Sequence, residues 1–319
     1  MGITRRGATA GILAGFAWSP VRAQGRRQIN LIVPFPPGGS VDTLSRLLQD
    51  GLQERMKATI IIENRPGANG AIGAAAAARA TPDGTTLMAT FDSHSTIPAL
   101  LDKPPLNVLT DLEPVMLLGK APYIVATSAG RPYKTFADVI AAARVKPVTY
   151  GTSGPGSSGH LAMVMLGRKA GVPLDHVPYK GAGPAINDVV GGHVDLICAS
   201  VAALLPQIEA GTLRAVMQMG PGRLKALPDA PTTAESGFPD FLAEAWWGIF
   251  APKGTPELIV TQTYEALRDV LQLPLVSQRL RDTQQMTLVM AGPKEFGAFF
   301  AKEVVYWGKV VHDNDIKGG

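Results

Sequence analysis

Short runs of Ile, Val and Leu, each long enough for one strand, recur through this chain with amphipathic stretches between them, and that alternation leaves little choice of fold. The runs lie at 29–35, 59–63, 85–90, 115–119, 123–127, 148–152, 194–199, 213–219, 247–251 and 287–290. Their near-continuous apolar content suits strands covered on both faces. Between the first two, Val41, Leu44, Leu47, Leu48, Leu52 and Met56 fall three and four apart, one stripe of a helix. Phe296, Phe299, Phe300, Val304, Trp307 and Val311 repeat the pattern near the end of the chain. Strands alternating with helices predict an α/β fold with mainly parallel sheets, and 319 residues are enough for two domains. Gly and Pro are abundant but follow no strict repeat, which excludes a collagen-like or wholly disordered chain.

The first 23 residues read as a secretory leader. Arg5 and Arg6 precede a small-residue, mildly apolar stretch at 8–18, and Val21-Arg22-Ala23 forms a V-x-A cleavage site before Gln24. No uncharged run there approaches the ~18 residues that a membrane span needs. Thr4-Arg5-Arg6-Gly7 allows the twin-arginine route as well as the general secretory one. The chain has 30 Lys and Arg against 26 Asp and Glu, and removing Arg5, Arg6 and Arg22 leaves 27 against 26. A nearly neutral mature protein lacks the clustered positive charge that a nucleic-acid partner requires. Cys198 is the single cysteine, so an intrachain disulfide and a cysteine-based zinc site are excluded.

Punctuation falls at a consistent place. The loops Pro34-Phe35-Pro36-Pro37-Gly38-Gly39-Ser40, Ser153-Gly154-Pro155-Gly156-Ser157-Ser158-Gly159 and Lys180-Gly181-Ala182-Gly183-Pro184 each follow a strand and precede a helix. Ligands of open α/β sheets bind at the carboxyl ends of strands, so these loops are the candidate site. Residues 154–159 also match G-x-G-x-x-G with Asp175 downstream, which keeps open an exported dinucleotide-dependent oxidoreductase using the Gly154 to Gly159 loop. Pro173 beside Asp175 and the mid-chain position count against it. A phosphate loop would need Gly-Lys-Ser/Thr where the chain has Gly159-His160-Leu161, and no G-x-S-x-G nucleophile elbow occurs. What remains is backbone N–H groups and short hydroxyls at a helix start, an anion-binding geometry without reaction chemistry. The five histidines, His94, His160, His176, His193 and His312, have no zinc-site spacing, and Cys198 reads as a small buried residue. Trp246 and Trp247 are adjacent on a strand and face opposite ways, so one of them can line a pocket.

The order of motifs is itself informative. Pro34-Phe35-Pro36-Pro37-Gly38-Gly39-Ser40-Val41-Asp42, Glu63-Asn64-Arg65-Pro66-Gly67-Ala68-Asn69-Gly70 and Pro82-Asp83-Gly84-Thr85 come first. Ser158-Gly159-His160-Leu161, His176-Val177-Pro178-Tyr179-Lys180-Gly181 and Gly191-Gly192-His193-Val194-Asp195-Leu196 follow, and then Pro228 to Gly237 and Trp247-Gly248-Ile249-Phe250-Ala251-Pro252. In this order they resemble the Bug family of extracytoplasmic solute receptors, the binding proteins of tripartite tricarboxylate transporters. The resemblance implies a periplasmic, two-lobed, type II-like binding-protein fold, each lobe a mainly parallel sheet flanked by helices, with two hinge crossings. It also implies no catalytic activity, no cofactor and no metal. The partners would be a small carboxylate and the membrane subunits of a transporter, the receptor itself being a monomer without stable membrane insertion.

Carried onto this chain, residues 24–121 and 246–319 form the first lobe and residues 122–245 the second. The ligand-binding candidates of the first lobe are Phe35, Pro37, Gly38, Gly39, Ser40, Ser93, His94 and Trp246. Those of the second are Ser153, Gly154, Ser157, Ser158, Lys180, Gly181, Ala182 and Ser200. His94 matches no residue that the resemblance marks as constant. The loops contain no arginine, so a carboxylate would be met by dipoles and neutral donors rather than by a bidentate fork. Mass spectrometry of the exported protein is expected to find a chain beginning at Gln24, and an intact Met1 would overturn the leader.

Overall fold

The computed structural model describes residues 27–317, so the leader at 1–23 lies outside the described residues. The chain opens with β1 (Arg27–Val33), α1 (Ser40–Met56), β2 (Ala58–Asn64), α2 (Ala71–Ala78) and β3 (Thr86–Phe91). β1 pairs parallel with both β2 and β3. α1 buries Val41, Leu44, Leu48 and Leu52 against this sheet, and Leu47 and Met56 pack at its margin. A 3-10 turn (Asp92–Thr96) and the one-turn helix α3 (Ile97–Leu100) lead into β4 (Leu112–Ser128).

β4 is 17 residues long and nearly all buried. Its first part pairs with β9 (Glu244–Pro252) as far as Pro122 opposite Glu244, and with β10 (Thr287–Ala291). From Tyr123 onward it pairs instead with β7 (Leu196–Ser200) and β8 (Leu213–Gln218). Pro122 has no N–H to donate, and it sits where the strand passes from one set of partners to the other. The sequence marks 115–119 and 123–127 as separate runs because Gly119, Lys120 and Pro122 dilute the apolar signal. In the fold Gly119 keeps the strand continuous through a register shift, where a Cβ would lie 2.6–2.7 Å from Met286 and the Thr287 carbonyl.

The remaining elements of the second half are α4 (Phe136–Ala143), β5 (Val148–Thr152), α5 (Ser158–Ala170), β6 (Leu174–Pro178), α6 (Ala182–Val190) and α7 (Val201–Glu209). α8 (Glu257–Leu271), α9 (Pro274–Gln284) and α10 (Pro293–Asp313) follow β9. Strands run β2-β1-β3-β9-β4-β7-β5-β6, with β10 and β8 also on β4. Among the described residues, four pairings are parallel and five antiparallel, so the expectation of mainly parallel sheets is corrected. The outer βαβ units are parallel as expected. The antiparallel share comes from β4 and β9, long strands that run opposite ways through the middle and take part in all five antiparallel pairings.

α10 closes one face of this centre with aromatic side chains. Phe296 and Phe300 are buried against Trp246 and Phe250, with ring centroids 4.8–5.8 Å apart. Gly248 makes that approach possible, since a Cβ there would lie 2.3 Å from Phe296 Cζ. Gly248→Ala is expected to cost about 1–3 kcal/mol by overpacking. Gly308→Ala, inside α10 with no atom within 4 Å of the new methyl, should stabilise by about 0.5–1 kcal/mol. Denaturant melts of the two variants check both signs.

Candidate functional site

Three loops leave the carboxyl ends of β1, β5 and β6 and enter α1, α5 and α6. The first, 34–39, is pinned by Asp42. Its Oδ2 accepts from the Gly38 amide at 2.9 Å, and Arg46 donates Nε and Nη2 to the same carboxylate at 2.9 and 3.0 Å. Asn64 Nδ2 donates to Asp42 Oδ1 and to the Phe35 carbonyl, both at 3.0 Å. Burial pushes the Asp42 carboxyl up, but the bonds from Arg46, Gly38 and Asn64 bring it below the ordinary carboxylate range. The fixed loop lets Gly38 hold φ of 81° and leaves the amides of Ser40 and Val41 without a partner among the described residues. Phe35 is half-buried, and Pro37, Gly38 and Gly39 are exposed.

The second loop is held by a different network. Thr152 Oγ1 lies 3.1 Å from the Gly154 carbonyl and 2.8 Å from His176 Nε2, and His160 Nδ1 accepts from the Gly156 amide at 3.0 Å. His160 and His176 stack with ring centroids 3.8 Å apart. Burial lowers both imidazoles to about 4, so both are neutral at neutral pH, as an acceptor Nδ1 requires. Ser157 is the cap of α5, its hydroxyl accepting from the His160 amide at 3.4 Å and donating to the Gly154 carbonyl at 2.8 Å. Ser158 is not a cap. Its buried hydroxyl has no hydrogen-bond partner among the described residues. Ser153 is exposed, and its carbonyl accepts from the Gly181 amide at 3.0 Å, which ties the third loop to the second. Lys180 is exposed, and Gly181 and Ala182 are half-buried at the start of α6.

Between the first two loops runs a chain of contacts. Trp247 Nε1 donates to Ser40 Oγ at 3.4 Å, and the Trp247 ring meets Phe91 edge-on at 5.3 Å, with Phe35 on the far side of Phe91 at 6.5 Å. Asp92 follows Phe91, and its Oδ2 accepts from Tyr123 Oη at 2.8 Å. The Ser158 hydroxyl lies beside this pair without closing a well-aligned bond. Burial raises the Asp92 carboxyl to about 7, Tyr123 and Ser158 pull against the rise, and Glu303 adds to it. Ser200 caps the backbone start of α7 with no side-chain bond and stands opposite Tyr123 in the β4–β7 register. α5 also packs onto α3 and α10. A Cβ on Gly156 would lie 2.3 Å from Leu100, and Leu161 shares an apolar cluster with Leu100, Trp307, Val310 and Val311.

Two candidates lie away from this chain of contacts. Trp246 is buried among Phe296, Phe299 and Phe300 at 5.7–5.9 Å, because α10 covers that face of β9. Its neighbour Trp247 is the tryptophan on the loop side. His94 is sandwiched between Phe250 and Phe300 at 5.4 and 5.3 Å, and burial lowers its imidazole to about 3. Ser93 is buried in the same turn, its carbonyl accepting from Thr96 Oγ1 at 2.9 Å. The dinucleotide alternative fails on position. Asp175 pairs with Thr149 near the amino end of β6, whereas the fingerprint needs its acid at the carboxyl end beside the glycine loop.

The sequence reading missed Asp42, Asn64, Asp92, Tyr123, Thr152, His160 and His176 as site residues, and of the two tryptophans it held able to line a pocket it took Trp246 rather than Trp247 as the candidate. Asp42 had a signal, since Gly38, Asp42 and Arg46 are spaced four apart at a helix start. The Asp92 to Tyr123 bond spans 31 residues and leaves no trace in spacing.

The α/β fold, with ligand loops at the carboxyl ends of its strands, is that of a periplasmic binding protein. The model of the tripartite tricarboxylate transporter family receptor matches residues 44–316, and the chain belongs to that family, one of solute receptors and not of enzymes. Protein BugT of Bordetella pertussis is 35% identical over 314 residues, covering 97% of this chain and 95% of BugT. The structure of Rpa4515 of R. palustris with adipate superposes with a TM-score of 0.84 at 31% identity, over 91% of this chain and 98% of that one. MatC from Rhodopseudomonas palustris with bound malate gives 0.79 at 30% identity, over 89% and 99%. No helix of the described residues is long and apolar enough to cross a membrane.

Asp92 gives the site a pH signature. Unfolded, this carboxyl holds its proton only below about 4, whereas folded it does so up to about 7. Between those limits the folded state binds more protons, so this group makes stability fall as pH rises through the window. Asp92→Asn removes the effect. Chemical denaturation of variant and parent from pH 4 to 8 is expected to show the variant gaining on the parent as pH rises, and parallel profiles would contradict the assignment.

Proposed function

We propose that this protein captures a small carboxylate-bearing solute between two lobes and presents it to the membrane subunits of a tripartite tricarboxylate-type transporter. The malate and adipate held by the two structural relatives support the carboxylate. The observation that carries the reading is the pair of pinned loops at 34–40 and 153–159, whose helix starts offer free amides and a free Ser158 hydroxyl and contain no arginine. First-turn amides and the helix dipole favour an anion without a cationic side chain.

The lobes in this reading are 24–121 with 246–319, and 122–245. β4 and β9 cross between them, and Pro122 opposite Glu244 marks the hinge. The leader at 1–23 would carry the chain to the periplasm by the general or the twin-arginine route, and the receptor would work as a monomer. The remaining candidates serve as secondary contacts: Ser93 beneath the cleft, Ser200 at its second-lobe wall, and Lys180 with Gly181 and Ala182 at its rim. Phe35, Pro37, Gly38, Gly39 and Ser40 form the opposing wall with Ser153, Gly154, Ser157 and Ser158.

A thermal-shift screen over organic acids tests the reading, because a ligand at 100 times its Kd stabilises by about 2.7 kcal/mol. With the best acid, Ser158→Ala is expected to weaken binding tenfold to hundredfold, the loss of about 1.5–3 kcal/mol for a bond to a charged group. Ser157→Ala should instead cost about 1 kcal/mol of folding stability through the lost cap. Titration calorimetry beside denaturant melts separates the two, and an affinity unchanged in Ser158→Ala would move the anion to Gly38, Gly39 and Ser40.

A further inference from the structure

Asp92 stands where β3 ends, directly after the Phe91 ring that touches Phe35 and Trp247. It is 1% exposed. Oδ2 accepts from Tyr123, whereas Oδ1 has no partner among the described residues, and neither has the Ser158 hydroxyl beside it. The elements packed around this carboxyl bring no cation. β4 supplies Tyr123, α5 supplies Ser158, the turn supplies Ser93 and a neutral His94, and α10 supplies Glu303, a second acid. Cys198 of β7, near Tyr123, is a buried thiol whose titration is pushed up, so it stays uncharged. Lys120 is engaged elsewhere, over the Phe299 ring at 4.0 Å and facing Glu244 and Glu303.

Holding Tyr123 does not account for an acid here. Asparagine or serine would accept the same bond without the cost of burying a carboxyl that has no counter-ion. A buried acid with a free oxygen at the carboxyl end of a strand, among ligand loops, is the pattern of a recognition group.

We infer that Asp92 sets ligand choice: its carboxyl receives a hydrogen-bond donor, a hydroxyl or an ammonium, that the ligand carries beside its carboxylate. The inference rests on the carboxylate-receptor reading above. Asp92 belongs to the proposed first lobe and Ser158 to the second, so parting of the lobes uncovers both to an incoming ligand. An ammonium pairs with the ionised carboxyl, whose proton passes to solvent as the pair forms. A hydroxyl needs only the free lone pairs of Oδ1. A plain dicarboxylate offers Asp92 no donor, and its second carboxylate is a like charge once the Asp92 carboxyl ionises, above about 7.

Matched ligands decide the matter. Succinate, malate and aspartate differ by a hydrogen, a hydroxyl or an ammonium at one carbon, and adipate, 2-hydroxyadipate and 2-aminoadipate repeat the series at greater length. In titration calorimetry of the mature chain, a member with a donor is expected to bind at least tenfold tighter than its parent acid. Asp92→Asn keeps an acceptor for Tyr123 and should lose an ammonium preference to within about threefold of the parent acid while keeping a hydroxyl preference. Asp92→Ala should lose both. For an ammonium ligand, binding heats in buffers of different ionisation enthalpy should report proton release at pH 6. A parent acid that binds the unaltered protein as tightly as its substituted partners overturns the inference and leaves the receptor reading standing, with no variant needed. So does a preference that survives in Asp92→Ala, or binding confined to acids that carry no donor. If no organic acid of the wider screen binds, the receptor reading falls and the inference with it.

Discussion

One strand holds the molecule together. β4 is hydrogen-bonded to β9 and β10 over its first part and to β7 and β8 over its second, so both groups of helices hang from one unbroken backbone. Its near-complete burial demands apolar side chains on both faces, and its ladders demand partners on both edges. Pro122 removes one donor at the point of exchange, where a continuous ladder would stiffen the crossing. The strand thereby fixes where the loops that flank it stand, with Pro122 at the point where its partners change.

The two principal loops are fixed by unlike means, and the difference follows from what each helix start provides. Asp42 in the first turn of α1 reaches back to the Gly38 amide, and Arg46 and Asn64 saturate its remaining lone pairs. That arrangement is charged and partly wet, and it persists while the carboxylate stays ionised. The loop before α5 relies on neutral groups, Thr152, His160 and His176, and His160 can accept from the Gly156 amide only while its ring is uncharged. Both devices consume amides of the loop itself and leave the amides of Ser40 and Val41, and of Ser158 and Gly159, without a partner among the described residues. Rigid loops with unpaired donors are preorganised, so ordering them takes little from the binding free energy.

Local pattern made much of this legible. The stripe of α1, the phenylalanines of α10 and the Gly-rich loops after β1 and β5 stand in the sequence as they stand in the fold, because periodicity and turn chemistry are local. What failed was non-local. Gly119 and Pro122 read as a break in β4, although register shifts and changing partners absorb them. β6 is marked in sequence only at its Val177-Pro178 end, since Asp175 and His176 interrupt its apolar run. The choice between Trp246 and Trp247 depended on which face of β9 α10 would cover, and no spacing within β9 carries that information. His94 and Asp92 are two residues apart in one turn, yet one packs between phenylalanines and the other meets Tyr123. Their separation is a matter of side-chain direction.

The absence of arginine from the loops has a consequence for how such a cleft can discriminate. The Arg46 guanidinium is already bound to Asp42, and Lys180 is exposed. In the proposed reading an anion there would be met by amide dipoles, which favour negative charge over a volume and do not dictate the rest of the molecule. Selectivity in the proposed reading comes from groups that the dipoles do not involve, and the residues between the loops are the candidates for it. Among the described residues, Thr90, Asp92, Ser93 and Ser158 each keep a buried polar atom without a partner, clustered where β3 ends and α5 begins. Buried polar atoms of that kind cost stability unless something completes them. Substitutions among these four residues would alter which ligand completes the set while Asp42, Asn64, Thr152 and His160 go on holding the loops. Under the proposed reading the anion-binding frame and the selecting floor would vary separately, which would let a single fold serve many small acids.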